Sequence, residues 1–367
     1  MKYNISKIYV IASIYLLVLL AAFLLPRQIS NFNYIFLILF TCSNLILFPL
    51  KKNFISLFLM IVYFTLLQFL LPESNFLYYI NDLLTIVFIV ECITIAQYAK
   101  IYDSELKILK YLFLGYLLLS LAYAAFSNNY EESRFLGLMQ GTNLSASVSM
   151  ILLVLVWEIE KLKNKNIFLL LFLTGIFFSF IFLYKTRTLL FALPYFIYQY
   201  TKYWNVKKVI IWGGIIAIPL ILYNYKNLIF ENFRLAEDSS FITRFSLYSY
   251  MYENLAKSHF ILPHGFNSAN NLIYNYSGEN NYVHNDLFKY LYDWGGIFLI
   301  YIFFIIKRII KPFDWNMAFI LLLVLANSFH NMLFSVYIWI PFTIILLINK
   351  SGNPFIPKGN IPVVPNL

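Results

Sequence analysis

The chain has 367 residues, of which 61% are hydrophobic, 20% aromatic and only 12% charged. A water-soluble domain carries roughly a quarter charged residues to cover its surface. This composition therefore excludes a soluble enzyme, a disordered chain and a disulfide scaffold, and leaves a polytopic membrane protein. The net charge of +10 has to be sorted by position before it says anything about partners, and the two cysteines, Cys42 and Cys92, sit inside apolar runs where neither a disulfide framework nor a zinc site is expected.

A helix needs roughly 17–25 apolar residues to cross a bilayer. In chain order, twelve segments are predicted as spans: 8–25, 32–50, 54–71, 77–99, 108–126, 144–159, 167–184, 189–203, 209–224, 287–306, 317–334 and 336–348. They are continuously apolar rather than alternating, which excludes the strands of a β-barrel. The expected fold is all-α. Residues 1–224 hold spans one to nine, 225–286 form one large loop outside the cytoplasm, 287–348 hold the last three spans, and 349–367 form an irregular tail with four prolines. The first span ends in Leu24-Leu25-Pro26-Arg27 without a small-residue cleavage pattern and reads as an anchor.

Basic residues orient the spans. With the N-terminus in the cytoplasm, 18 of the 27 Lys and Arg residues fall in inside segments, at least two in each, and only one of these is arginine, Arg308. Most of the inside lysines read as flexible connecting or terminal charges. The nine outside residues include five arginines: Arg27, Arg134, Arg187, Arg234 and Arg244. Lysine suits a solvated anchor, whereas the planar guanidinium suits bidentate recognition of phosphate or carboxylate. Solvated loop charges are the plainer reading of the same arginines.

Most connections are short, and the 62-residue loop 225–286 is the exception. Phe241, Phe245, Tyr248, Tyr252 and Leu255 recur at helical spacing, so 241–257 is predicted as an amphipathic helix, capped at Ser239 or Ser240 and broken by Pro263-His264-Gly265. Arg244 flanks its apolar stripe and would also suit an interfacial, snorkelling role. The loop is rich in Asn and Tyr, the amide, phenol and aromatic groups that a sugar-binding surface uses, although a generic polar loop has them too. His284 opens the next predicted helix at the water–membrane boundary, where an imidazole can accept a proton. A cap or a packing residue is the alternative. Asp286 and Asp293, seven apart on one helix face, either orient His284 or point into the bundle. His264 and His259 have weaker cases, and His330, buried in a span, reads as structural or supporting.

Three groups of residues carry a resemblance. Arg134-Phe135-Leu136-Gly137 precedes Asn143 at the start of a span, Lys185-Thr186-Arg187-Thr188-Leu189 closes the seventh span, and a longer stretch runs from Arg244 through Pro263-His264-Gly265-Phe266-Asn267 to His284-Asn285-Asp286 and Gly295-Gly296. In order, spacing and membrane face they resemble the O-antigen ligase and polymerase family of bacterial surface polysaccharide assembly, over about residues 134–300. Asn267 departs from the family pattern, which often has a second glycine there.

The resemblance implies a GT-C-like, inverting, metal-independent membrane glycosyltransferase without a cofactor, working on the periplasmic face of the inner membrane with both termini cytoplasmic. Its substrates would be undecaprenyl-diphosphate-linked oligosaccharides, as donor and acceptor, within the membrane lipids, and a chain-length regulator is a candidate partner. Nucleic acid is not. A departing diphosphate develops charge that cations must stabilise, and the first outer loop, 26–31, has no carboxylate to hold a metal. Arg187 and Arg244 are the first candidates to hold the diphosphate, with Arg134 and Arg234 behind them. His284 is the candidate base, and His264, Asn285, Asp286 and His330 are candidates for supporting it or meeting the acceptor. A polymerase is favoured over a ligase that transfers finished chains to lipid A–core. A flippase for the same lipid is a third reading, weakened because Asp82 and Glu91 do not share a helix face and no internal repeat is visible.

Overall fold

The computed structural model describes residues 6–24, 32–47, 54–71, 76–128, 130–131, 134–139, 141–163, 166–203, 246–254, 262–278, 285–309, 315–330, 333 and 335–350. These residues are mostly helical. In chain order the helices are α1 (Lys7–Leu24), α2 (Phe32–Leu47), α3 (Phe54–Leu70), α4 (Phe76–Tyr98), α5 (Asp103–Phe126), α6 (Thr142–Lys163), α7 (Ile167–Tyr184), α8 (Leu193–Tyr203), α9 (246–254), α10 (Ser268–Ser277), α11 (Asp286–Trp294), α12 (Gly296–Ile309), α13 (Trp315–Ala326) and α14 (Val336–Lys350). A two-stranded hairpin, β1 (Tyr130–Glu131) and β2 (Arg134–Phe135), precedes α6, and short 3-10 turns cover Arg187–Ala192 and Asn327–His330.

Four of these helices, α1, α4, α5 and α6, are long and apolar enough to cross a membrane by themselves; α2, α3, α7, α13 and α14 contain shorter apolar stretches. Large apolar side chains such as Leu24, Ile46, Phe69, Leu77, Phe126 and Phe168 lie exposed on helix surfaces. Water would penalise that much uncovered apolar area, and lipid tails would not. The molecule is an all-α protein with the surface of a membrane-embedded one.

The core centres on α6 and α14. From Met150 to Ile159 nearly every side chain of α6 is buried, and α14 is likewise buried from Val336 to Ile348. A helix apolar on all sides has to sit among other helices; α6 packs on α5, α7 and α14, and α14 also packs on α4 and α1. Capping groups set several ends. Asn166 accepts the N–H groups of Phe168 and Leu169 at the start of α7. Buried Glu105 accepts the N–H of Tyr102 at the start of α5 and that of Ser6 just before α1, joining the two helices.

One end of the bundle is closed by a polar network. The Glu158 carboxylate on α6 accepts from Lys161, Tyr195, Asn316 and Asn349, bringing α6, α8, the start of α13 and the end of α14 together. Gln199 donates to Asn316 in the same group. Next to it, Lys110 pairs with Glu160 at 2.8 Å. The expectation of flexible inside lysines fails for Lys110, which is buried, because an ion-pair partner on the neighbouring helix offsets its desolvation.

Other expectations also change. The predicted span 287–306 is two helices: α11 ends at Gly295, where φ is 68°, and the apolar α12 starts after it. The predicted span 317–334 is helical only to Ala326, followed by the 3-10 turn. The helix expected to open with His284 opens at Asp286, because Asn285 is its cap and accepts from Leu287 and Phe288. Around α9 the buried face is Leu247 and Met251, one turn apart, while Tyr252 is exposed and Tyr248 stacks on Phe288. The predicted span 209–224, both candidate serine caps, Phe241, Phe245 and Leu255, and the proline-rich tail lie outside the described residues.

Candidate functional site at one end of the helix bundle

Three chain segments converge at the end of the bundle opposite Glu158. The first is the hairpin leading into α6. Gly137 has a φ of 75°, and a Cβ there would come within 2.3 Å of the Ser145 Cβ. Glycine is required by both the backbone and the space. Ser145 fixes the turn by donating to the Leu136 carbonyl and accepting the Met139 N–H. Arg134 is half-buried on β2, with Glu131 as its backbone register partner.

The second segment is the end of α7. The buried Tyr184 ring stacks on Phe135, with centroids 5.5 Å apart, and its hydroxyl lies 3.0 Å from Ser120 Oγ and 3.3 Å from Ser149 Oγ. Lys185 closes the helix in the left-handed region, at φ 49°. The chain then turns at Thr186 into the Arg187–Ala192 3-10 turn, which packs on α6 and α13. Arg134 and Arg187 therefore lie on segments joined through the Phe135–Tyr184 stack; of the Arg187 side chain only its backbone position is described.

The third segment is α11 with the loop before α10. Helix α13 begins at Trp315, is tied to Glu158 through Asn316, and runs 12 residues, about 18 Å, so its last residues lie at the far end of α6. There the Asn327–His330 turn packs on both α6 and α11, and the Asp286 carboxylate accepts the Leu333 N–H at 2.8 Å. This places the start of α11 beside the segment that holds His330.

Along α11 the side chains form a buried charged cluster. Lys289 Nζ is 3.2 Å from the Asp293 carboxylate, one turn on, and lies over the Tyr290 ring at 4.3 Å. Asp82 of α4 faces the same lysine and accepts the Trp294 indole N–H at 2.9 Å. Tyr63 of α3 donates to the Trp294 carbonyl. Thus α11 is fastened to α3, α4 and the α13–α14 connection.

The Pro263–Asn267 loop is docked on the C-terminal half of α11. The backbone N–H groups of His264 and Gly265 donate to the carbonyls of Tyr292 and Asp293, and the His264 ring stacks on Tyr292 with centroids 4.0 Å apart. Asp293 accepts the N–H of Asn267 at 3.2 Å and of Ala269 at 2.8 Å, capping α10 from outside the helix. Asn267 has a φ of 69°. That is the left-handed region which favours glycine and which asparagine tolerates best among the other residues. The departure at Asn267 therefore preserves the turn.

Of the candidate residues, Asn285, Asp286 and His264 are brought together on and around α11, and the backbone of His330 lies next to them. Their contacts are these: Asn285 caps a helix, Asp286 points into the bundle and accepts from Leu333, and His264 anchors a loop. His284 directly precedes the Asn285 cap but, with Arg234, Arg244 and His259, lies outside the described residues. Lys289 and Asp82 had no assigned place in the site. The signal for Lys289 was present in the spacing Asp286-x-x-Lys289-x-x-x-Asp293, which puts all three on one helix face. Nothing in the sequence alone pairs them with Asp82, some two hundred residues earlier.

No family model, curated protein or solved structure matches this chain.

Proposed function

We propose that this protein is a membrane-embedded glycosyltransferase that joins lipid-diphosphate-linked oligosaccharides, acting as a surface-polysaccharide polymerase of the O-antigen type. In this reading the chain has twelve spans in a GT-C-like arrangement in the bacterial inner membrane, with both termini cytoplasmic and the site on the periplasmic side. What supports it most is one arrangement: the Arg134–Gly137 turn, the Thr186-Arg187 turn and the start of α11 lie at the same end of the bundle, although their order in the chain separates them by up to about 150 residues. Those are the segments that carry the resemblance to the ligase and polymerase family.

The chemistry assigned to them is an inverting displacement. The acceptor sugar hydroxyl oxygen attacks the anomeric carbon of the donor, and the bond from that carbon to the diphosphate oxygen breaks. His284 takes the hydroxyl proton. Arg187 and Arg244, assisted by Arg134 and Arg234, hold the departing lipid diphosphate, whose developing charge the guanidinium groups meet bidentately. The donor and acceptor lipid tails stay in the bilayer.

The test is a ladder assay in a strain deleted for this gene. The deletion strain should accumulate single repeat units without long chains, and the wild-type gene should restore the ladder. His284→Ala and Arg187→Ala, expressed at wild-type levels in the membrane, should not restore it. Full ladders from both variants would overturn the mechanism. A deletion strain that keeps long lipid-linked chains but fails to attach them would show a ligase instead.

A further inference from the structure

Glu91 lies in the interior of α4 and is 1% exposed, yet neither carboxylate oxygen has a hydrogen-bond partner among the described residues. The other buried carboxylates are all met. Glu105 accepts backbone N–H groups, Glu158 and Glu160 are bonded to Lys161 and Lys110, and Asp82, Asp286 and Asp293 accept from Trp294, Leu333 and Ala269. An ionised carboxylate in an apolar interior is costly unless something neutralises it, and an ionisable group inside a membrane helix is by default a functional one.

Helix α2 packs along α4 and presents Thr41 and Asn44, one turn apart, both buried. Asn44 is the polar side chain that faces Glu91. Thr41 Oγ1 and Asn44 Oδ1 are also buried without partners. Thr41 is the informative one. Thr65, Thr94, Thr174 and Thr343 each satisfy their hydroxyl by donating to the carbonyl one turn back in their own helix. Thr41 does not. Helical spacing puts Thr41 on the same side of α2 as Asn44, so the two packed helices present four buried oxygens, two of them from one carboxyl group, with no positive side chain assigned to them: Lys110 and Lys289 are held by Glu160 and Asp293.

We propose that Glu91, Asn44 and Thr41 form an intramembrane binding site for a monovalent metal cation of the sodium class. One carboxylate balances one positive charge, and hard cations take oxygen ligands. A divalent ion would call for a second carboxylate. The next one on α4, Asp82, is nine residues and about 13 Å away and is committed to Trp294. A proton on Glu91 would supply one donor to the group and leave the other oxygens as they are. The Asn44 amide presents its oxygen by a simple flip. This site is separate from the glycosyl-transfer reading and stands or falls without it.

The experiment is thermal unfolding of the full-length protein, purified in detergent, titrated with sodium chloride at constant ionic strength against N-methylglucamine chloride. Sodium should raise Tm saturably and N-methylglucamine should not, since a ligand that binds only the folded state stabilises it. Glu91→Gln, which keeps the shape and removes the charge, should abolish the sodium response, and Thr41→Val should move it to higher concentration. Binding of radiolabelled sodium to the unaltered protein, displaced by unlabelled sodium, gives the same answer without any variant. No difference between the two salts, an undiminished response in both variants, or stabilisation on acidification with no cation preference would each overturn the proposal; the last would assign the site to a proton.

Discussion

Asp293 accepts the backbone N–H of Asn267 at 3.2 Å, and Asn267 stands in the left-handed region at φ 69°. A single buried carboxylate thereby fixes a strained turn, caps α10 through Ala269 and neutralises Lys289. The loop that follows Pro263 and the helix that follows His284 form one unit for this reason.

Asn267→Gly should therefore fold as well as the unaltered protein, because glycine adopts positive φ without a Cβ penalty. Asn267→Val should cost about 1–2 kcal/mol, because a β-branched side chain is an outlier in that region and lacks the polar group that lets asparagine tolerate it. Thermal unfolding of the purified variants separates them. Equal Tm values for the glycine and valine variants would show that the turn relaxes.

Asp293→Ala should destabilise by about 3–5 kcal/mol, since it removes the carboxylate in contact with Lys289 and takes the acceptor from the buried Asn267 and Ala269 N–H groups, leaving Asp82 to face the lysine alone on the α4 side. Adding Lys289→Met should recover part of the loss. A double-mutant cycle on Tm or denaturant midpoint measures the coupling, and additive effects would mean that the pair is not held as described.

Gly137→Ala faces both a φ of 75° and a Cβ contact of 2.3 Å with the Ser145 Cβ. It should lower the yield of folded protein sharply. Gly137→Ala combined with Ser145→Gly removes the contact but not the backbone strain, and also deletes the Ser145 hydrogen bonds to Leu136 and Met139. It should recover little, as read by monodisperse yield in detergent.

Asp286 and His284 should separate by readout. Asp286→Ala leaves the Leu333 N–H without its acceptor, a loss of about 1–3 kcal/mol for a donor left unsatisfied, so Tm should fall. His284→Ala should leave Tm close to that of the unaltered protein and abolish long polysaccharide chains. A His284→Ala variant that loses stability as Asp286→Ala does would make the histidine a structural residue.

Glu158→Ala should be among the most damaging single changes at the opposite end of the bundle. It leaves Lys161, Asn316 and Asn349 without their shared acceptor. Limited proteolysis should then cut near the start of α13 before the start of α6.

Sequence alone determined the solvent. So many apolar residues and so few charges can be accommodated only where lipid covers the surface, and the apolar runs located most of the described helices, though 287–306 divides at Gly295, 317–334 is helical only to Ala326 and 189–203 begins in a 3-10 turn. It also singled out the segments that hold Gly137 and Gly265, whose positive φ only the structure shows. Tertiary structure decided what each polar residue does. Asn285 could cap, orient or bind, and only the positions of Leu287 and Phe288 show that it caps. Asp82 and Glu91 look alike on one helix, yet the Trp294 indole donates to the first, while the second faces Asn44 and has no charged partner among the described residues. Periodicity reports which face of a helix avoids water. It carries no information on which distant helix that face will meet, and in an apolar interior the partner sets the state of every buried charge.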